Sequence, residues 1–388
     1  MTTTPDDLLE QIDRHFEHGN QAWLLGAGIS VDAGLPLMWP LTARVCDMAK
    51  DKPHEALMKA LLGELPETAH IEHVLSQLGD YAAIAKRMKD SKVNVSGSSY
   101  TLDDLQAAHA GIAQDVASTI RWGYIPGNDK EGVAATIGAP DNPLATVDGH
   151  ADFVRVLFEK RQAGLWERRK PVYFFTTNYD TLLEDALALG RYSSWDGFSG
   201  GAIAFRDHVY GKAARVEGMR AVVVKLHGSI DWVLGKDGEV WRVRETDKYP
   251  PRYGRVLIHP QSTKYVSTQK DPFAAQFDLF RRILNSSDEL VFAIVGYSFG
   301  DDHVNEEIER ALSSKDNKTT LIAFCRENNS LPPALDGWRN SSWGDRVFVL
   351  TEKSIYWGSQ GPFHQRKEGE HNWWSFKGMT GFIENRGE

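Results

Sequence analysis

The stretch Gln21-Ala-Trp-Leu-Leu-Gly-Ala-Gly-Ile-Ser-Val-Asp-Ala-Gly-Leu-Pro36 decides the fold. A short apolar run, residues 22–25, ends at Gly26, and Gly28 follows two residues later. An apolar run of this length bounded by glycine predicts a buried strand. The glycines permit a sharp turn, and a helix can begin after them, so that free N–H groups face a phosphate. The stretch also fits a purely structural turn, because the next glycine is Gly34 and the dinucleotide fingerprint is not met.

Three later stretches share this character, since each is an apolar or β-branched run that ends abruptly in polar residues or glycine. They are Phe174-Phe-Thr-Thr-Asn-Tyr-Asp180, Val222-Val-Val-Lys-Leu-His-Gly-Ser229 and Phe292-Ala-Ile-Val-Gly-Tyr-Ser-Phe-Gly-Asp301. Apolar runs that alternate with helical patterns predict an α/β fold with a Rossmann-like, mostly parallel sheet. Ligands bind outside the carboxyl ends of the strands in such sheets, so the polar ends of the four runs form the candidate site.

Size and composition limit the classes of protein to which the chain can belong. With 388 residues, of which 41% are hydrophobic, it can form one large α/β domain or two smaller ones. The formal net charge of −9, from 53 acidic and 44 basic residues, argues against a general binder of nucleic acid or of anionic membranes. We therefore expect no direct binding of nucleic acid.

Cysteine content and the first residues bear on the cellular compartment. Two cysteines, Cys46 and Cys325, are too few for a disulfide framework and suit a reducing compartment. The N-terminal residues are polar and acidic, unlike a secretory signal, and no apolar run approaches the length that spans a bilayer. We expect a soluble cytoplasmic protein with no membrane segment.

The chain divides into a nucleotide-binding domain, residues 1–350, and a short C-terminal tail, residues 351–388. Helical periodicity between about 45 and 150 predicts a helical insertion module within the domain. Residues 122–150, rich in Gly, Pro, Asp and Asn, are expected to form a surface excursion, a lid or a partner contact. The tail carries aromatic residues among charges, which fits either docking onto another subunit or packing on its own domain.

The four polar strand ends, which carry Gly, Asn, Asp, His and Ser in that order, resemble those of the sirtuin family of NAD-consuming enzymes. The resemblance covers roughly residues 20–330. Within the family the chain is most similar to the sirtuin-like NAD hydrolases of bacterial anti-phage defence. The resemblance implies that NAD is the substrate. The NAD-binding residues predicted on this basis are Gly26, Ala27, Gly28, Ser30, Asp32, Asp180, Gly296 and Ser298.

The resemblance also assigns roles to individual residues. Asn178 stands at the asparagine of the sirtuin pattern Thr-Gln-Asn-Ile-Asp, which this chain reads as Thr-Thr-Asn-Tyr-Asp, and would hold the ribose or orient the attacking water. Asp180 would grip the nicotinamide carboxamide. His227 precedes Gly228, as the general-base histidine precedes glycine in sirtuins, and would contact ribose hydroxyls and accept a proton. Asn178 and His227 are the predicted catalytic residues.

Several of these residues have a structural interpretation as well. Asn178 and Asp180 fit an Asx turn that caps the next helix, and His227 fits a strand-end histidine that is satisfied by the backbone. Asp32 fits either ligand contact or bracing of the turn. Asp301 and Asp302 fit either capping of the helix that follows or contact with a ribose, and we expect capping. A further residue, the tryptophan at position 39, fits either the core or a wall of the ligand pocket.

The four zinc-binding cysteines of deacetylating sirtuins have no counterpart here, because residues 228–295 contain no cysteine. His70 and His73 lie three apart on a predicted helix without an evident third ligand, and we expect them on a solvated face. We predict no metal site and no zinc. Met38 and Trp39 replace the Asp-Phe-Arg triplet of the deacetylases. These departures make water the expected acceptor, which gives hydrolysis of NAD to ADP-ribose and nicotinamide.

Two other functions stay open at the level of the sequence. One is NAD-dependent protein deacylation or ADP-ribosyl transfer, and the other is a non-catalytic scaffold subunit that senses NAD or ADP-ribose. An unrestrained NAD hydrolase would kill its host, and the predicted domain leaves little room for a fused sensor. We therefore expect control by assembly into a homo-oligomer and by a separate subunit, which the resemblance suggests is a HerA-type ATPase.

Overall fold

The computed structural model describes residues 4–128, 130–164, 170–244, 254–257, 271–327, 329–364 and 369–385. The outer bounds predicted for the domain and the tail, residues 1 and 388, lie outside this part of the chain. The strands of the described residues are, in chain order, β1 (Gln21–Leu25), β2 (Lys92–Val95), β3 (Ser98–Thr101), β4 (Tyr124–Ile125), β5 (Thr136–Ile137), β6 (Val172–Thr176), β7 (Ser194–Trp195), β8 (Phe198–Gly200), β9 (Ile203–Arg206), β10 (Ala221–Lys225), β11 (Gly228–Leu234), β12 (Val240–Val243), β13 (Gly254–Leu257), β14 (Leu290–Val295), β15 (Thr319–Phe324), β16 (Val347–Leu350), β17 (Ile355–Trp357) and β18 (Gln360–Phe363).

A nine-stranded sheet in the order β18-β17-β16-β15-β14-β1-β6-β10-β7 forms the centre of the molecule. Its strands pair in parallel from β16 to β7, and β17 and β18 add an antiparallel edge. The predicted α/β fold with a Rossmann-like, mostly parallel sheet is confirmed. A second, five-stranded antiparallel sheet has the order β13-β11-β12-β9-β8.

The four apolar runs singled out in the sequence end on one row of the central sheet. Leu25 at the end of β1 pairs with Val295 of β14 on one side and with Thr176 of β6 on the other. Thr176 in turn pairs with Lys225 of β10. Strand order reverses at β1, because the chain proceeds from it to β6 on one side while β14 lies on the other. A crevice at the carboxyl ends of the strands is expected at such a switch point.

The α-helices of the described residues are Pro5–Phe16, Met38–Ala49, Glu55–Glu64, Ile71–Arg87, Leu102–Trp122, Asp148–Arg155, Leu182–Leu189, Phe273–Leu284, Asp302–Leu312, Pro333–Arg339 and Phe376–Glu384. A short 3-10 turn, Ala27–Ser30, follows β1. The first helix begins with the capping box of Thr4 and Asp7, in which each residue's side chain accepts from the other's backbone N–H. No helix among the described residues is both long enough and apolar enough to cross a membrane.

Four of these helices and the hairpin β2–β3 form a helical module between β1 and β6. The module helices run from Met38 to Trp122, so the helical part begins earlier and ends earlier than the predicted 45–150. Residues 92–101 pair as the hairpin, and residues 122–150 contain the two-residue strands β4 and β5. The module has its own apolar core, into which Tyr179 and Ile230 of the sheet domain also pack.

Alternate residues of each central strand face two different hydrophobic cores. Trp23 and Leu25 of β1 belong to the core that contains the first helix, whereas Ala22 and Leu24 belong to the core that contains the helix Phe273–Leu284. The C-terminal region completes the first core, because Trp373, Phe376, Met379 and Phe382 are buried in it. The described part of the tail therefore packs on its own domain, and the sheet continues through β18, beyond the predicted boundary at 350.

Candidate functional site

A cleft of about 960 Å³ opens at the carboxyl ends of the four central strands, between the sheet and the helical module. Its volume lies at the upper end of the range of roughly 300–1,000 Å³ found for small-molecule sites. One wall comes from the loops after β1, β6, β10 and β14, and the opposite wall from the first turns of two module helices. The candidate residues lie on the first of these walls.

Glycines permit the loops after β1 and β14 to touch through their backbones. Gly28 N–H donates to the Gly296 carbonyl oxygen at 2.9 Å. Gly26 N–H donates to the carbonyl oxygen of Val295, the last residue of β14, at 3.0 Å. A Cβ at Gly26 would lie 2.4 Å from the Gly296 oxygen, which real Cβ atoms do not tolerate. Gly296 also has φ +66, a left-handed conformation that favours glycine. These glycines therefore hold two strand ends together, and Gly28 and Gly296 line the cleft as well.

Asn178 is held by a buried network that joins the ends of β1 and β6. The Thr176 hydroxyl donates to the Leu25 carbonyl at 2.9 Å and accepts from the Asn178 N–H at 3.0 Å. The Asn178 amide Nδ2 donates to Ser30 Oγ at 3.2 Å, and Ser30 Oγ donates to Asp180 Oδ2 at 2.9 Å. The orientation of the amide is therefore set by contacts from two strands.

The Oδ1 atom of Asn178, at the other end of the amide, is buried and has no hydrogen-bond partner among the described residues. A buried amide oxygen without a partner costs free energy, about 1–3 kcal/mol, unless water or a ligand satisfies it. Asn178 lines the cleft, so a water molecule or a ligand there is the candidate partner for this acceptor.

Asp180 makes the structural hydrogen bond that the sequence allowed, and it also lies in the cleft wall. Its Oδ1 accepts from the Leu182 N–H at 3.0 Å, so it caps the start of the helix Leu182–Leu189. Its Oδ2 accepts from Ser30 Oγ, and the residue lines the cleft. The carboxylate is therefore a structural cap and part of the candidate site at the same time.

Lys225 stabilises the loop that carries Asp180, a role that the sequence did not suggest. The side chain is 2% exposed, and its Nζ donates to the Asp180 main-chain carbonyl and lies 3.3 Å from Glu184 Oε1. Burial raises the pKa of Glu184 to about 7, and the Lys225 ammonium opposes this shift. A buried lysine at the end of an apolar strand is an unusual residue, and that was the available signal.

His227 lies in the cleft wall directly after β10 and is 3% exposed. Its Nε2 is 3.3 Å from Nε2 of His303, which lies in the first turn of the helix Asp302–Leu312. One ligand atom from each of His227, Asp301 and His303 lies within 4.8 Å of the others. We predicted no metal ligands, and His303 was not singled out, because its neighbour in space is 76 residues away in sequence.

Asp301 differs from its expected role. It occupies the N-cap position of the helix Asp302–Leu312, but its side chain makes no capping hydrogen bond. Its main-chain carbonyl instead accepts from the N–H groups of Val304 and Asn305 at 3.0 Å each. The prediction that the side chain caps the helix is wrong, and Asp301 lines the cleft.

The module wall carries aromatic and imidazole side chains. Trp39 is 53% exposed, lines the cleft and meets the His70 ring edge to face, with centroids 6.2 Å apart. Trp39 is therefore not a core residue. His70 and His73 also line the cleft instead of a solvated face away from it. Glu72 ties this wall to the sheet, because its Oε1 accepts from the buried Tyr179 hydroxyl at 2.6 Å.

The structure brings most of the predicted site residues together and leaves two outside. The residues that line the cleft are Ala27, Gly28, Ser30, Asn178, Asp180, His227, Gly296 and Ser298. Gly26 is not part of the lining and serves the backbone contact described above. Asp32 is exposed and also lies outside the lining, so the cleft does not use it.

Comparison with known proteins finds a family model that matches part of the chain. A family model described as SIR2-like domain matches residues 172–342, from β6 to the segment before β16. The matched segment includes Asn178, His227 and Gly296, and it supports a sirtuin-like family member with NAD-dependent activity in general. A search of curated proteins finds no match to the chain.

Proposed function

We propose that the chain hydrolyses NAD to ADP-ribose and nicotinamide in the cleft at the carboxyl edge of the sheet. The observation that carries the proposal is the Asn178 Oδ1 atom, a buried acceptor that has no partner among the described residues, on a residue that lines the same cleft as His227. A fixed acceptor and an imidazole in one cleft suit a reaction in which water attacks a sugar carbon.

The reaction breaks the bond between C1′ of the ribose and the nicotinamide nitrogen, and the bonding electrons leave with nicotinamide. Positive charge then develops on the ribose, as in other glycosyl transfers. Asn178 Oδ1 accepts a hydrogen bond from the attacking water or from a ribose hydroxyl. Water forms the new bond to C1′, His227 takes its proton, and the proton passes to solvent.

The remaining wall residues orient the dinucleotide. The 3-10 turn Ala27–Ser30 and the loop at Gly296 and Ser298 lie in the cleft wall where we place the pyrophosphate. Asp180 Oδ1 and Oδ2 each accept one hydrogen bond from the protein and keep a lone pair for the nicotinamide carboxamide. Water, not an acylated lysine, is the acceptor that we propose, since residues 228–295 lack the zinc-binding cysteines of deacetylating sirtuins.

Depletion of NAD is a means of anti-phage defence by abortive infection, and we propose this role in the cytoplasm for the chain. Its activity would be restrained by assembly into a homo-oligomer and by a partner subunit of the HerA-type ATPase class. Cells that carry the chain with its genomic neighbour should lose NAD after infection. An unchanged NAD level in infected cells would refute the role in defence without bearing on the reaction itself.

The reaction is tested by release of nicotinamide from NAD by the purified chain, with and without its genomic neighbour. Asn178→Ala and His227→Ala should each reduce turnover by about 10²–10⁴-fold while the fold is retained, since a positioned acid–base group contributes that much. His15→Ala and Asn340→Ala, outside the cleft, are the matched controls and should keep wild-type turnover.

Other outcomes identify the alternative functions. Binding of NAD without nicotinamide release, unaffected by His227→Ala, would replace the proposal with a nucleotide-sensing subunit. Turnover that requires an acylated lysine peptide, or that leaves ADP-ribose on a protein, would replace hydrolysis with deacylation or ADP-ribosyl transfer.

A further inference from the structure

The cluster of His227, Asp301 and His303 has the composition of a metal site. His227 follows β10, while Asp301 and His303 flank the start of the helix Asp302–Leu312, so two separate elements supply the three side chains. The two Nε2 atoms lie 3.3 Å apart, and a carboxylate oxygen of Asp301 lies within 4.8 Å of one ring nitrogen of each histidine. Two imidazoles and one carboxylate form the kind of three-residue set that leaves a fourth position open in catalytic zinc sites.

Neighbouring groups in the cleft wall surround the three side chains. The His303 ring packs between the rings of His227 and Phe277, with centroids 5.4 Å from each. Asp301 is half-buried in the cleft wall and is not used as a helix cap. The imidazoles are therefore held in place, and Asp301 lies in the cleft wall beside them.

We propose that His227, Asp301 and His303 bind one divalent transition-metal ion, for which Zn²⁺ is the best match, and that the bound ion inhibits the enzyme. The second half of this proposal rests on the proposed function, since it requires that His227 takes part in NAD hydrolysis. The site differs from the four-cysteine zinc site of deacetylating sirtuins in its ligands and in its place at the carboxyl edge of the sheet.

The distance between the two imidazoles supports a metal ion. Tetrahedral sites with metal–nitrogen distances of about 2.0–2.1 Å hold neighbouring nitrogens about 3.3–3.4 Å apart. The 3.3 Å between the two Nε2 atoms matches this separation. The Asp301 oxygen, within 4.8 Å of the histidine ligand atoms, has to move closer to complete the site. Imidazole nitrogen also selects Zn²⁺, Cu²⁺ or Ni²⁺ over Mg²⁺ or Ca²⁺, which prefer oxygen ligands.

The charge of the surroundings permits a cation despite the nearby helix N-terminus. The positive end of a helix dipole, equivalent to about half an elementary charge, disfavours a metal ion beside the first turn. Asp301 and Asp302 carry two negative charges at the same helix end and outweigh it. Because the carboxylate of Asp301 is itself a ligand, the net charge of the occupied site is lower than that of the free ion.

Inhibition follows because the metal ion would bind His227 Nε2. His227 Nε2 faces His303, and an imidazole nitrogen that ligates a metal ion no longer accepts a proton. The ion would also place a positive charge in the cleft where positive charge develops on the ribose. Both effects slow cleavage, so removal of the metal ion activates the enzyme.

Binding is tested by calorimetric titration of the full chain with Zn²⁺ after treatment with a chelator. We expect one ion per chain. His303→Gln should weaken the affinity by more than about 100-fold, because the loss of even a partner outside the ligand shell costs roughly 10–100-fold. Asp301→Asn should weaken it by at least about tenfold. His73→Gln, from the other histidine pair in the cleft, is the matched control and should bind as the wild type does.

An affinity that is unchanged in both His303→Gln and Asp301→Asn, or lost equally in His73→Gln, overturns the site. Inhibition is then measured as the ratio of nicotinamide release with and without Zn²⁺ in each variant. Zn²⁺ should inhibit the wild type and His73→Gln, a chelator should reverse it, and His303→Gln and Asp301→Asn should be resistant. Equal inhibition of all four proteins overturns the inhibitory role. If no protein releases nicotinamide, the proposed function fails, and the titration alone still decides the metal site.

Discussion

The two walls of the cleft differ in how their side chains are held. On the sheet wall, Asn178 and His227 are 7% and 3% exposed. Hydrogen bonds with residues after or at the ends of two strands orient Asn178, and the His303 ring contacts His227. On the module wall, Trp39 is 53% exposed and touches one imidazole edge. Chemistry needs groups held to within a fraction of an ångström, whereas recognition tolerates adaptable aromatic surfaces. We infer that the sheet wall performs the reaction and that the module wall contributes affinity for the substrate.

The largest effect on stability is expected at Lys225, which contacts the Asp180 loop of the sheet wall. Lys225→Met removes the ammonium that contacts the Asp180 carbonyl and Glu184, and it leaves both groups buried. We expect a loss of about 3 kcal/mol in the free energy of unfolding, since breaking one partner of a buried ion pair costs roughly 3–5 kcal/mol. Urea unfolding measures it, with Lys318→Met at the surface as control. A loss no greater than that of the control would contradict the supporting role of Lys225.

Glu184, the partner of Lys225, makes the stability of the protein depend on pH. Burial raises the pKa of Glu184 in the folded chain to about 7, above its ordinary value of 4.5. The contribution of Glu184 to the free energy of unfolding is therefore fully present below about pH 4.5 and is lost as the pH rises through about 7. Glu184→Gln should remove this loss, on the order of 2 kcal/mol. The difference in unfolding free energy between wild type and variant should favour the wild type more at pH 5 than at pH 8.

The exposed Glu309→Gln is the matched control for removal of one carboxylate, and its difference from the wild type should not depend on pH in this way. A Glu184→Gln difference that is constant between pH 5 and pH 8 would show that Glu184 is ionised throughout.

A smaller effect is expected at the contact between the two walls. Tyr179→Phe removes the hydroxyl that donates to Glu72 at 2.6 Å and leaves the ring in the module core. We expect a loss of about 1–2 kcal/mol in the free energy of unfolding, because hydrogen bonds to charged groups contribute roughly that amount. Nicotinamide release should keep its kcat and acquire a higher KM. An equal loss of kcat would mean that the module positions the catalytic residues and would remove the distinction between the walls.

The smallest effect on stability is expected at Trp39. Trp39→Ala should change the free energy of unfolding by less than about 0.5 kcal/mol, as for other surface positions. The KM for NAD should rise about fivefold or more, because stacking of a base on an aromatic ring contributes roughly 1–3 kcal/mol. Trp39→Phe should restore most of the affinity. A fall in kcat without a change in KM would place Trp39 in the chemical step and contradict its assignment to substrate binding.

Much of the sheet wall was predictable from local sequence. Apolar runs that end in glycine or polar residues identified β1, β6, β10 and β14, because buried parallel strands read as continuous hydrophobic segments. Their polar ends identified the cleft, since parallel strands end at a common edge. The helices of the module were predictable from periodicity, but the hairpin β2–β3 was not, because each of its strands has only four residues.

The remaining features depend on contacts between distant residues. Capping by Asp301 was a reasonable local prediction and was wrong, since main-chain carbonyls and N–H groups take that role. Asp32 lies in the glycine-rich turn, but the turn directs it outward. Trp39 and the tail tryptophan Trp373 look alike in sequence, yet one lies at the cleft and the other is buried in the core.

By itself the sequence determined the α/β class, the four strand ends and the polar residues Asn178, Asp180 and His227, because strand pattern and turn chemistry are local properties. The tertiary structure alone decided that Lys225 supports the Asp180 loop, that Glu72 bonds to Tyr179 and that His227 faces His303. These pairs are separated by 45, 107 and 76 residues. A contact of that kind depends on how strands and helices pack, and no periodicity along the chain encodes which two side chains will meet.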